Sequence, residues 1–269
     1  MQNEYEECYV AFIDILGFKE MLDKDDFNQI FNVFMAIKSF KTKPAIEMPA
    51  YNEIRFHIMS DSIIVYINSS VKDGFIALTD ICGKIQMYLL WLDPPILVRG
   101  GIAQGTLYCK DDIIFGTGLS RAYLLENNLA VFPRIVFTEE LLQSALKNAW
   151  ASKIFDYNNS FYNKDEDELF FINFFDSFFY IKYLNVKSVE EVVNNDNEFF
   201  DKIINFVENK LAKETNSSIR QKYLWLKKKI YKSIDNKPEV KKHILEIQDV
   251  KKEQKNKEFE AILKGVLKK

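Results

Sequence analysis

Seven residues near the N-terminus, Tyr9 to Ile15 (YVAFIDI), are rich in β-formers and apolar or aromatic at every position but one. A run like this has no polar face to offer water, so it reads as a strand buried within a covered sheet. The exception is Asp14. A carboxylate in the most apolar strand of the N-terminal half costs several kcal/mol unless something positive meets it. It is either a strand-end residue that caps the next helix and accepts backbone N–H bonds, or a metal ligand.

Beyond Gly17, which marks the strand exit, β-like and helical patterns alternate. Asp25 to Ser39 places Phe27, Ile30, Phe31, Phe34 and Ile37 at helical spacing, with Asp25 or Asp26 as a cap. Glu53 to Ile67 reads as two strands around a tight Ser-Asp-Ser turn, and Phe75 to Leu92 as a helix stopped by Pro94 and Pro95. Ile96 to Tyr108 and Asp112 to Phe115 are expected as strands, and Gly118 to Asn128 as a helix. Ile135 to Phe137 is a further strand, Glu139 to Ala149 a helix, and Leu169 to Tyr183 the last aromatic strand or strand pair. The order β-α-β-β-α-β matches the ferredoxin-like class of α+β folds. Around 185–197 the chain turns polar, and the remainder reads as three helices, Glu198 to Lys213, Ser218 to Ile234 and Pro238 to Leu267. The expected division is therefore an α+β domain over 1–187 and a helical, Lys-rich extension over 188–269.

Charge sharpens this division. The segment from Phe200 onward carries nineteen Lys and Arg against ten Asp and Glu, a balance of +9 within a chain whose net charge is −3, so the first 199 residues stand at −12. An acidic body is a poor surface for nucleic acid. The basic tail suits either the solvated faces of packed helices or an anionic partner. Cys8, Cys82 and Cys109 are odd in number and scattered, which argues against a disulfide framework or a structural zinc site. The acidic start MQNEYEEC is unlike a signal peptide, and Leu169 to Leu184, the most apolar run, is broken by Asp176 and Lys182 and is too short for a bilayer. A cytoplasmic protein without a membrane partner is the expectation.

Asp61 is the only acid between Glu53 and Asp73, and it occupies the turn of the predicted hairpin. Aspartate is common in turns. If the first strand is central and pairs with that hairpin, Asp14 and Asp61 converge at one end of the sheet, where two carboxylates repel unless a divalent cation bridges them. Ile15-Leu16-Gly17-Phe18 would then form a strand-to-helix turn whose backbone N–H groups, Phe18 included, suit a triphosphate. Strand alternation places Arg55, His57, Met59 and Asp61 on one face.

FIDILGF, then SDS between two strands, then VRGGIAQG, then FGTGLSRAYLLE followed by PRIVF, resembles the class III nucleotidyl cyclase homology domain, most closely the pyrimidine cyclases of the bacterial Pycsar anti-phage system. The ordered motifs span roughly residues 8 to 138, and a weaker match, KYLWL, follows at Lys222 to Leu226. The resemblance implies two divalent cations, Mn²⁺ or Mg²⁺, held by Asp14, Asp61 and the carbonyl of Ile15. It implies attack of a ribose 3′-hydroxyl on the α-phosphorus of UTP or CTP, giving a 3′,5′-cyclic nucleotide and pyrophosphate. Arg99 matches the strand arginine that contacts phosphate, with Arg134 a weaker candidate for that role.

In purine cyclases a lysine reads adenine where this chain has Arg55, and an acid does so at or next to Ile113, with Asp112 one residue away. His57 and Tyr51 are further candidate base contacts. Where purine cyclases place a transition-state Asn and Arg, this chain has Ser120 and Leu124, with Arg121 on a neighbouring helical position. The family's sites form between two domains, which implies a homodimer with composite active sites. The alternatives are a purine cyclase and a degenerate domain that binds nucleotide without turnover. The Tyr223–Trp225 helix is expected to pack on the body or on a twin subunit.

Overall fold

The structure is a computed structural model that describes residues 5–24, 27–40, 49–111, 113–147, 161–175 and 189–266. The first strand, β1 (Glu6–Ile15), lies inside a sheet, with β3 (Ser62–Asn68) on one side and β4 (Val98–Lys110) on the other, both antiparallel to it. β2 (Arg55–Met59) pairs with β3 at the edge, so the four strands stand in the order β2-β3-β1-β4. With α1 (Phe18–Asp23) and α2 (Phe27–Phe40) after β1, and α3 (Gly74–Trp91) between β3 and β4, this is the ferredoxin-like βαββαβ core. The chain adds β5 (Ile113–Phe115) beside the end of β4, then α4 (Thr117–Leu129), then β6 (Ile135–Phe137) parallel to β4. After α5 (Glu139–Leu146), β7 (Tyr162–Lys164) and β8 (Phe170–Ile172) extend the sheet from β6.

Alternation along β1 divides its neighbours. Tyr9, Ala11, Ile13 and Ile15 join Ile63, Val65, Phe75, Ile81 and Ile85 in the main core beneath α2 and α3. Cys8 and Val10 join Ile64, Ala103, Leu107 and Ala122 in a smaller cluster under α4. Apolar residues on both faces are what made the run readable as an internal strand. Glycines set how closely α4 lies: a Cβ on Gly101 would stand 2.6 Å from Leu125 Cβ, and one on Gly105 2.7 Å from the Gly118 nitrogen. At Gly101 the nearest neighbour is the backbone of α4 itself.

The C-terminal helices are α6 (Val189–Lys213), α7 (Ser217–Asp235) and α8 (Pro238–Val266). They share one apolar cluster with the body, in which Phe199, Ile203, Trp225 and Ile230 pack with Met87, Leu90, Val136 and Phe171. Trp225 stacks on Phe132 at 5.5 Å, so this helix packs on the α+β body as expected. The boundary at 187/188 lies outside the described residues, as do Asp25, Asp26, Asp112 and the second half of the predicted aromatic strand. α6 begins at Val189, within the stretch read as a polar connection; Val189, Val192 and Val193 continue the helical spacing of Phe199, Phe200 and Ile203. Among the described residues no helix is long and apolar enough to cross a membrane.

Candidate active site

Register brings the two aspartates together. Asp14 lies opposite Ser62 on β3 and opposite Arg99 on β4. The Ile15 N–H donates to the Asp61 carbonyl at 3.0 Å, which fastens the hairpin turn to the end of β1. Ser60 turns the chain with φ 54°, so Asp61 sits at the very end of the hairpin. Facing residues of an antiparallel pair point to the same side, so Asp14 and Arg99 share the α4 side of the sheet.

Arg99 Nε lies 3.3 Å from Asp14 Oδ2 and 2.8 Å from Glu126 Oε1, and its Nη1 donates to the Ala130 carbonyl at 3.5 Å. The guanidinium anticipated as a phosphate contact therefore joins two carboxylates within the chain. Glu126, on the buried side of α4, is only 3% exposed, and its Oε1 is the atom paired with Arg99. Burial pushes the Glu126 carboxyl above its ordinary value, against the pull of Arg99 and with the push of Asp14 and Asp61. Burial likewise raises Asp14, 21% exposed at its side chain; the Arg99 hydrogen bond and charge oppose this, and Asp61 adds to it. Lys222 of α7 acts on both acids from the C-terminal helices.

The donor chemistry fits hard divalent cations: of two carboxylates at one strand end, Asp61 raises the cost of ionising Asp14, and Asp14 shares a single arginine with buried Glu126. Asp14 and Asp61, with the Ile15 carbonyl, are the residues that would hold them. Among the described residues no group of three or more His, Cys, Asp or Glu side chains is placed to enclose a metal ion, so further ligands would have to come from backbone, solvent or substrate.

The other candidates are dispersed. Gly17 turns the chain out of β1 with φ 78°, and α1 has no side-chain N-cap. Phe18 is a core residue, its ring 6.1 Å from Phe34, so only its backbone faces the turn. Arg55 and His57 stand on β2 on the same side of the sheet as Asp14, and Arg55 is paired with the Asn52 carbonyl at 2.7 Å and with Glu53 at 3.7 Å. At 3.3 Å per residue Arg55 is about 13 Å along the strands from the row of Asp14.

Two expectations are corrected, and a third residue stands apart from the aspartates. Arg134 is 0% exposed, bound to Asp165 at 2.7 Å and to Asp167, and enclosed by Phe132, Phe171 and Trp225, so it cannot reach a nucleotide. Tyr51 is buried with its hydroxyl on Asp80, which is also paired with Lys84, and is no base contact. Arg121 donates to the Gln104 carbonyl at 3.0 Å and lines a 620 Å³ groove with Leu124, Leu129 and Leu141, away from Asp14 and Asp61 of its own chain; in a composite site it would serve the metal ligands of a twin subunit instead. Sequence reasoning missed Glu126 and Lys222 as site residues. Only the KYLWL resemblance pointed toward the latter.

No protein-family model matches the sequence, and no curated protein is significantly similar to it. Solved structures do resemble it at low identity. The adenylyl cyclase CyaB from P. aeruginosa is 18% identical over 53% of this chain and 81% of that one, with a TM-score of 0.41. A bacterial light-regulated adenylyl cyclase is 13% identical over 67% and 97%, with a TM-score of 0.39. An adenylate/guanylate cyclase/hydrolase from Silicibacter pomeroyi is 15% identical over 63% and 96%, with a TM-score of 0.40.

Proposed function

We propose that the chain is a nucleotidyl cyclase that converts a pyrimidine nucleoside triphosphate, UTP or CTP, into its 3′,5′-cyclic monophosphate and pyrophosphate, working as a homodimer in anti-phage defence. The observation that carries the reading is the seating of Asp61 against the end of β1, beside Asp14. Divalent cations held there would acidify the ribose 3′-hydroxyl and neutralise phosphate charge.

The chain's own residues supply position. Arg99 fixes the Asp14 carboxylate, and Glu126 holds Arg99 through the same Nε. The 3′-oxygen bonds to the α-phosphorus as the bond to the β-phosphate breaks, and alignment of the two is what a rigid strand end provides. Arg55 and His57, farther along the same face, suit contacts to a base. Arg55 in place of a purine reader's lysine, and Ile113 in place of an acid, support a pyrimidine. Exposed Met59 and Tyr123 flank the part of this face that α4 leaves open, an apolar surface suited to a twin subunit.

Incubation of the purified chain with each of the four ribonucleoside triphosphates and Mn²⁺, beside Asp14→Ala and Asp61→Ala, tests the reading. Cyclic UMP or CMP from the parent and from neither variant is expected. Cyclic AMP or GMP alone would make it a purine enzyme, and product persisting in both variants would end the metal assignment. A second reading, a domain that binds nucleotide without turnover, draws support from Ser120 and Leu124 on α4 and from Arg121 being engaged elsewhere. It predicts binding with no pyrophosphate release.

A further inference from the structure

Six described lysines are not fully exposed: Lys84, Lys202, Lys222, Lys227, Lys229 and Lys237. Five have partners. Lys84 meets Asp80, Lys227 Glu208 at 3.4 Å, Lys229 Asp165 at 2.8 Å and Lys237 Asp196 at 3.1 Å, while Lys202 donates to the Trp91 carbonyl at 2.7 Å. Of these six, Lys222 alone has no hydrogen bond and no ion pair among the described residues. An ammonium taken partly out of water is costly without a counter-charge, and the charge of Arg99 weighs against it. Asp14 and Glu126 act on it favourably, but both already share Arg99.

Lys222 lines a cavity of about 270 Å³ together with Leu16 and Gly17, the second and third residues after Asp14. Pro94 to Leu97 line it as well, as do two more cations, Lys24 and Lys210, and two acids, Glu20 and Glu214. Glu214 is itself engaged by the Asn216 N–H at 2.8 Å. The cavity thus adjoins the carboxylate end of β1, carries a surplus of positive charge, and includes a half-buried ammonium that makes no hydrogen bond or ion pair among the described residues.

We propose that Lys222, delivered by the C-terminal helices, binds the polyphosphate tail of the substrate beside the β1–α1 turn, so that these helices are a working part of the active site. The identity of the anion rests on the cyclase reading; the cavity and the unpaired cation do not. A lysine suits a terminal phosphate, which calls for a mobile point charge more than for a planar fork.

Inorganic tripolyphosphate with Mn²⁺, titrated calorimetrically into the full chain, tests the proposal without requiring turnover. Lys222→Met is expected to weaken binding about tenfold or more, the loss of one charged hydrogen bond, and Lys222→Arg to restore most of it. Lys222→Met removes an uncompensated charge, so its melting temperature should not fall. In the cyclase assay the same variant should raise KM for the triphosphate more than it lowers kcat. Tripolyphosphate binding unchanged in Lys222→Met, or absent from the parent, would overturn the proposal. So would tighter Mn²⁺ binding with tripolyphosphate unaffected, since Lys222 would then be an internal counter-ion of Asp14 and Glu126. Loss of tripolyphosphate binding in a chain that cyclises no nucleotide would sink the cyclase reading and leave the Lys222 site standing.

Discussion

Two arginines in this chain each meet two carboxylates, with opposite results. Arg134 is sealed: Asp165 and Asp167 take its guanidinium, three aromatic rings enclose it, and Trp225 and Lys229 add hydrogen bonds to Asp165 at 2.7 and 2.8 Å. Burial works against the charged form of Asp165, yet the Lys229 and Trp225 hydrogen bonds and the Lys229 charge leave its carboxyl below the ordinary value. Arg99 is half-open, at 23% exposure, and its partners Asp14 and Glu126 are both pushed upward by burial that the arginine does not offset. The first cluster has the cations it needs. The second has one arginine for two buried acids and a third acid nearby, an arrangement that leaves room for a cation from solution.

The comparison breaks most easily through activity. Asp14→Ala or Asp61→Ala should reduce cyclic-nucleotide formation by roughly 10²-fold or more, the scale of losing a metal that stabilises developing charge, while Arg134→Lys, if it folds, should cyclise with an unchanged KM. Next in size is stability. Arg134→Ala removes a fully buried partner of Asp165 and empties the space between three aromatic rings, and should cost roughly 3–5 kcal/mol in urea unfolding, the scale of breaking a buried pair and opening a cavity. Glu126→Gln keeps the shape but not the charge that holds Arg99, and should lower kcat/KM roughly tenfold, as loss of an outer-shell partner does, with no loss of melting temperature.

The smallest effect is also the most diagnostic, because the two clusters should respond to pH with opposite signs. The folded pKa of Asp14 is raised, so its ionised form lowers stability at any pH above that value. Asp14→Asn should therefore melt a few degrees above the parent near pH 7, and the gap should close as pH falls toward 4. The folded pKa of Asp165 is lowered, so its contribution is complete above the ordinary carboxylate value and is lost as pH falls through the folded one. Asp165→Asn should melt below the parent at neutral pH, converging only in more acid solution. Thermal scans of the three proteins from pH 4 to pH 7 would show it, and parallel curves for the two variants would erase the distinction drawn between the clusters.

Much of the sheet was legible because its signals are local. Ile135 to Phe137 is a strand within the predicted limits, and the Ser-Asp-Ser turn falls between β2 and β3. Asp14 and Asp61 are expected at one end on the condition that the first strand pairs with that hairpin, and β1 does pair with β3. β7, Tyr162–Lys164, escaped because its sequence carries little β signal and it exists through pairing with β8. Arg134 looked available because its neighbours in sequence do not reveal Asp165, Asp167 or Trp225. Glu126 and Lys222 were invisible as site residues for the same reason. Each becomes one only when its helix docks, α4 seated on glycines and α7 held by the aromatic cluster.

That cluster sets a limit on how the molecule can be cut. Phe171, Val136, Leu90 and Met87 belong to the α+β half, yet Phe199, Ile203, Trp225 and Ile230 are what keep them dry. Trimming the chain near residue 187 to obtain a minimal catalytic fragment would uncover a greasy flank and strip Asp165 of its tryptophan and its lysine in one stroke. Such a fragment would be expected to precipitate, and its inactivity would say nothing about the chemistry of the intact chain.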